Sequence, residues 1–139
     1  MLRAAIARID AGDVHVVAVS PLIATPALGP AGRRFANAAM IVETRLDPPA
    51  LLALLKGLEA AFGRRRGRRW GPRVIDLDIL LWSEGRYRRG RGLAIPHLAL
   101  EQRDFVLRPL MVIAPDWRVG RGARTVRHSA SRLARGRGN

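Results

Sequence analysis

The stretch "RRWGPRVIDLDILLW", Arg68–Trp82, decides how this chain is read. Between the turn-forming pair Gly71-Pro72 and the polar Ser83-Glu84-Gly85 lies an apolar run that reads as a buried strand, yet it carries two carboxylates, Asp76 and Asp78. In a strand, residues two apart share a face and lie roughly 6.5–7 Å apart, so both carboxylates point one way while Ile75, Leu77, Ile79 and Leu81 take the other. Adjacent carboxylates repel each other and resist dehydration, so cations belong near them. Hard divalent ions suit such oxygen ligands, and Mg2+ in particular keeps several waters while bridging one or two carboxylates to substrate phosphates. Arg64, Arg65, Arg66, Arg68, Arg69 and Arg73 precede the strand, and guanidinium groups fork onto phosphate oxygens. These are the parts needed to move phosphoryl groups, where catalysis is mostly positioning and charge neutralisation. Spacing alone leaves a plainer alternative open, in which both aspartates pair with arginines on a solvent-facing sheet edge.

Working outward, Leu2, Ile6 and Ile9 recur at helical spacing among alanines, and "VHVVAVS" at 14–20 reads as a strand ended by Pro21. The prolines and glycines of "PLIATPALGPAGRR" argue for a shaped loop rather than regular structure. "FANAAMIVETRL" from Phe35 reads as the next strand. Asp47-Pro48-Pro49 then supplies an N-cap and a proline at the first helical position, opening a helix with the apolar stripe Leu51, Leu54, Leu55 and Leu58 that ends near Gly63. Beyond the aspartate strand come a polar turn suited to a hairpin, a short extended "LAIPH", and a segment that is helical in its first half and broken by Pro109. This order predicts an α+β sandwich, helices covering one face of a mainly antiparallel sheet, over residues 1–118. Residues 119–139 are basic and poor in apolar side chains, which predicts a mobile tail.

The 139 residues suit one domain, and no apolar run approaches the roughly 20 residues that cross a bilayer. No membrane partner is therefore expected. Without cysteine or a secretory signal pattern, a cytoplasmic location is expected. The net charge of +14 has two readings, attraction to polyanions or the coding bias of a GC-rich genome, since every basic residue except Lys56 is arginine. With one tyrosine and three phenylalanines there is no aromatic-rich platform for RNA, so no specific nucleic acid is expected.

The string "RWGPRVIDLDILL" closely resembles the signature of the 6-hydroxymethyl-7,8-dihydropterin pyrophosphokinases of folate biosynthesis. "ATPALGP" at 24–30 resembles that family's pterin-binding loop, "FANAAMIVET" its following strand, and "IPHLALEQRDFVLRPL" its segment after the aspartates. The resemblance runs in order from about Val14 to Pro115. It implies a ferredoxin-like α+β fold and an enzyme that transfers diphosphate from ATP to the pterin hydroxymethyl group, releasing AMP. It implies further that Asp76 and Asp78 hold two Mg2+ ions, with Arg64 and Arg73 neutralising charge during transfer. The matching ATP positions are Glu59, Arg66, Trp70, Ile79, His97 and Arg103. For the reduced pterin they are Phe35 and Phe105 as stacking faces, Asn37 at the ring edge, and Thr25, Pro26 and Leu28 beside it. ATP and the pterin would be the partners of a monomer. From the residues alone, Phe35, Phe105 and Trp70 read equally as core, Asn37 as a backbone partner and His97 as a turn residue.

Members of that family begin with a strand and a glycine-rich loop, whereas this sequence opens in the first helix. The readings that follow are a start placed downstream of the true one, or a truncated relative that binds ATP or pterin without turnover. A basic nucleic-acid-binding module is the remaining alternative.

Overall fold

The computed structural model describes residues 2–28, 33–65, 75–90, 92–120 and 123–137. Helix α1 (Leu2–Ile9) leads into β1 (Val14–Val19), which pairs antiparallel with β4 (Met40–Thr44), Val14 lying opposite Thr44. Between them β2 (Ile23–Leu28) and β3 (Arg33–Asn37) form a second antiparallel pair. Helix α2 (Pro48–Arg65) follows, then a short hairpin of β5 (Tyr87–Arg89) and β6 (Leu93–Ile95). A single 3-10 turn (Leu100–Gln102), α3 (Asp104–Ile113) and α4 (Val126–Arg137) complete an α+β fold.

The start of α2 forms as its sequence dictates: Asp47 Oδ1 accepts the Ala50 N–H at 2.9 Å, satisfying a first-turn donor, and Pro48 sits where no N–H is needed. Elsewhere tertiary context overrides local signals. The proline-rich stretch from residue 21 contains a strand, because Pro26 falls where the β2–β3 register shifts between Thr25 and Leu28 and its absent N–H costs no ladder bond. The expected single strand from Phe35 is two strands with different partners. The break comes at Ala38-Ala39, where Ser20 holds Ala39 through its backbone N–H (2.8 Å to the carbonyl) and its hydroxyl (2.9 Å from the N–H). Pro109 lies inside α3 rather than ending it, since Leu107, Pro109 and Leu110 are all buried and their packing outweighs one lost helix bond.

The largest departures concern the aspartate segment and the tail. Residues 75–82 belong to no ladder among the described residues. They lie across from β4 with a cavity of about 360 Å³ between, bordered by Met40–Thr44 on one side and 76–83 on the other. The expected mobile tail is instead ordered against the fold. Val126 is fully buried and Val119 nearly so, and Ala130 and Leu133 continue the stripe onto Leu100, Leu107 and Leu110. Spacings of four and three within α4 put Val126, Ala130 and Leu133 on one face, and so few apolar side chains suffice because these three share the side that meets the core.

Two apolar clusters meet at the aspartate segment. Leu77 and Ile79 belong to the first, with Ile9, Val14, Leu51 and Leu55, while Leu80 and Leu81 pack on the second, around Leu100, Leu107 and Val126. Each fully buried side chain of this size contributes about 1.5–3 kcal/mol. The segment is thus fixed by its side chains rather than by strand pairing.

Candidate active site

Burial alternates along the segment: Leu77 and Ile79 are each 8% exposed, while Asp76 and Asp78 between and beside them face outward. Burying the two leucine-type side chains forces both carboxylates to the other side. The backbone is held from two directions. On the α2 side, the Leu77 N–H donates to the Glu59 carboxylate and the Leu77 carbonyl accepts from Lys56 Nζ at 3.0 Å. On the other, the His97 N–H donates to the Leu80 carbonyl at 3.0 Å. Side-chain and turn contacts therefore do here what a ladder does elsewhere.

Lys56 is the electrostatic centre of the arrangement. Its ammonium lies 3.0 Å from Glu59 Oε2 and 3.4 Å from Asp78 Oδ1. Partial burial opposes the charged form, but the Glu59 hydrogen bond and the Asp78 and Glu59 charges together outweigh it, so the Lys56 pKa is raised above its ordinary 10.5. Glu59, one turn along α2, is the most enclosed of the three charged groups, its side chain 14% exposed. Its position explains the alternation of helix and site: residues three apart on α2 share a face.

Asp78, Ile79 and His97 converge on a second cavity of about 230 Å³, whose wall Lys56 and the β6 residues Leu93 and Ala94 complete. The His97 ring is oriented by the Ala99 N–H, which donates to Nδ1 at 3.1 Å and so leaves Nε2 as the other ring nitrogen. Asp76 and Asp78 also border the 360 Å³ cavity, so Asp78 stands between the two.

The other residues expected from the sequence are distributed as follows. Arg103 and Phe105, expected at different substrates, stack on each other, the guanidinium carbon 5.6 Å from the ring centre. Asn37 closes β3 opposite Ile23 and is half-buried. Asn37 and Phe105 line neither of these two cavities. The backbones of Thr25, Pro26 and Leu28 lie in β2, that of Phe35 in β3 and that of Arg64 in the last turn of α2. Arg66, Trp70 and Arg73 lie outside the described residues. Sequence reasoning passed over Lys56. Its signals were two: it is the chain's single lysine among 25 basic residues, and it precedes Glu59 by three.

Asp76 and Asp78 fit a hard divalent ion: both are carboxylates, both face away from the core, and both border a cavity with room for further oxygen ligands. Among the described residues no group of three or more histidine, cysteine, aspartate or glutamate side chains is assembled. An ion here would therefore draw most of its shell from water and substrate, as Mg2+ does on phosphates. No helix among the described residues is long and apolar enough to cross a membrane.

Fold and site together define an α+β protein with an outward-facing carboxylate pair braced from a helix, a donor set that fits a hard divalent ion. Comparison with known proteins narrows the class. The sequence model of the family described as 7,8-dihydro-6-hydroxymethylpterin-pyrophosphokinase matches residues 1–115. A 2-amino-4-hydroxy-6-hydroxymethyldihydropteridine pyrophosphokinase of Methylorubrum extorquens is 44% identical over 121 residues, which are 86% of this chain and 75% of that protein. Its counterpart in Pseudomonas aeruginosa is 45% identical over 111 residues, 79% of this chain and 68% of the relative. That of Synechocystis is 36% identical over 126 residues, 90% of this chain and 64% of the relative. The chain belongs to the 7,8-dihydro-6-hydroxymethylpterin-pyrophosphokinase family.

Proposed function

We propose that this chain is an ATP-dependent diphosphotransferase that passes diphosphate from ATP to the hydroxymethyl group of 6-hydroxymethyl-7,8-dihydropterin, releasing AMP, in folate biosynthesis. The observation that carries this reading is the outward-facing pair Asp76 and Asp78, anchored through Leu77 to Glu59 and Lys56, both bordering one cavity and Asp78 also bordering a second that His97 lines. Two Mg2+ ions held by the pair would neutralise charge on the ATP phosphates when bound. Glu59 and Lys56 fix the backbone of the segment at Leu77, so that the main chain carrying the carboxylates needs no reorganisation on binding. Ile79 and His97 wall the nucleotide side of Asp78, the histidine held in one tautomer by the Ala99 N–H. Arg64, Arg66, Trp70, Arg73 and Arg103 supply the remaining ATP and phosphate contacts. The pterin is taken by Phe35, Phe105 and Asn37 with the β2 backbone at Thr25, Pro26 and Leu28. Its hydroxyl attacks the β-phosphorus, and the bond to the α-phosphate oxygen breaks as AMP leaves. A monomer in the cytoplasm, with no specific nucleic-acid partner, completes the proposal.

Calorimetric titration with a non-hydrolysable ATP analogue tests it. Binding that requires Mg2+ and is lost in Asp78→Asn is the expected result. Equal binding with and without Mg2+, in both proteins, would remove the aspartate pair from the site.

A further inference from the structure

The Lys56 ammonium has three donors and no acceptor, and three oxygens surround it: Glu59 Oε2 at 3.0 Å, the Leu77 carbonyl at 3.0 Å and Asp78 Oδ1 at 3.4 Å. Its hydrogen-bonding capacity is matched by these three. The contacts are unequal. Glu59 is 14% exposed and is itself tied to the Leu77 N–H, whereas Asp78 is 46% exposed and makes the longest of the three bonds. Of the three, Asp78 is the partner free to turn away while the other two keep the ammonium in place.

We propose that Lys56 is a positioning residue that serves Asp78 as a resident cation, and that exchanging its ammonium for a divalent ion sets how tightly the protein takes up metal. The inference rests on the pyrophosphokinase reading of the aspartate pair. A compact, movable ammonium on a flexible stem suits this exchange, in a chain that uses arginine at every other basic position. In the metal-free protein Lys56 relieves the repulsion between two neighbouring carboxylates and keeps Asp78 aimed along the segment. Once a divalent ion is held by Asp78, the lysine stays anchored to Glu59 and Leu77 and its positive charge opposes the ion. Lys56 therefore lowers metal affinity in the absence of nucleotide.

The test is Mn2+ binding to the full chain, read from the electron paramagnetic resonance signal of free Mn2+, without nucleotide or pterin. Lys56→Met removes the charge and keeps most of the stem; Lys56→Gln removes it while retaining an amide donor, and serves should the methionine variant fail to fold. Both are expected to bind Mn2+ roughly fivefold tighter than wild type, the scale of one unit charge near a divalent ion at a half-exposed, salt-screened site. Lys56→Arg keeps the charge and is expected to stay within about twofold of wild type. Unchanged or weaker binding in the uncharged variants overturns the inference. Asp78→Asn separates this failure from that of the underlying reading. If Mn2+ binding to wild type and to the Lys56 variants is indifferent to Asp78→Asn, the aspartate pair is not the metal site and the role of Lys56 falls with it.

Discussion

Val126→Ala tests whether the C-terminal helix is part of the fold. Val126 is fully buried in the cluster that includes Leu100, Leu107 and Leu110, and its backbone N–H donates to the Trp117 carbonyl at 2.9 Å, a bond the substitution leaves intact. Removing two methyl groups forfeits about 1.6 kcal/mol of transfer free energy at ~0.8 kcal/mol each. Incomplete collapse around the void raises the expected cost to about 2–3 kcal/mol. Urea unfolding at fixed pH reads this as a lower midpoint with an unchanged slope. Arg132→Ala, on the exposed side of α4, serves as control and is expected to shift stability by less than about 0.5 kcal/mol. If Val126→Ala costs no more than the control, α4 does not pack on the cluster and the mobile tail is restored.

Three further expectations follow from particular contacts. Ser20 is 5% exposed and its hydroxyl accepts the Ala39 N–H at 2.9 Å, so Ser20→Ala leaves a buried donor unpaired and is expected to cost about 1–3 kcal/mol by urea unfolding; a neutral result would mean water replaces the hydroxyl. Arg124 Nη2 reaches Glu101 Oε2 at 2.9 Å, but both side chains are a third or more exposed, so a double-mutant cycle on the pair is expected to return only about 0.2–1 kcal/mol. Because the folded-state pKa of Lys56 is raised above 10.5, the stabilisation from its ion pairs is complete at neutral pH and is lost as pH rises through that folded value. The stability difference between wild type and Lys56→Met should therefore stay constant from about pH 7 to 9 and shrink only in more alkaline buffer, measured as urea midpoints.

Much of this molecule is legible in its sequence wherever local chemistry and tertiary context agree. Asp47-Pro48 announced α2, the leucine stripe its buried face, and the alternation around Asp76 and Asp78 the outward direction of both carboxylates. The resemblance of "RWGPRVIDLDILL" led to the family that the comparisons identify. What the sequence concealed were decisions made by distant partners. Whether 75–82 joins a ladder depends on a neighbouring strand, not on its own composition, and here Glu59, Lys56 and His97 hold it instead. Pro26 and Pro109 read as breakers because the register shift and the packed core that tolerate them lie elsewhere in the chain. In α4 three apolar residues, Val126, Ala130 and Leu133, were too few to register as composition, yet their spacing put them on one face toward the core. Lys56 was hidden for a related reason, since two of its three acceptors, the Leu77 carbonyl and Asp78, lie 21 and 22 residues away in sequence.

The central claim is tested most directly by incubating the full chain with Mg2+, ATP and 6-hydroxymethyl-7,8-dihydropterin and measuring AMP. The account predicts AMP that appears only when the pterin is present and that falls about a hundredfold or more in Asp76→Asn and in Asp78→Asn, the scale of losing one preorganised electrostatic contact. A folded wild-type chain that forms no pterin-dependent AMP would contradict it and leave a relative that binds without turnover.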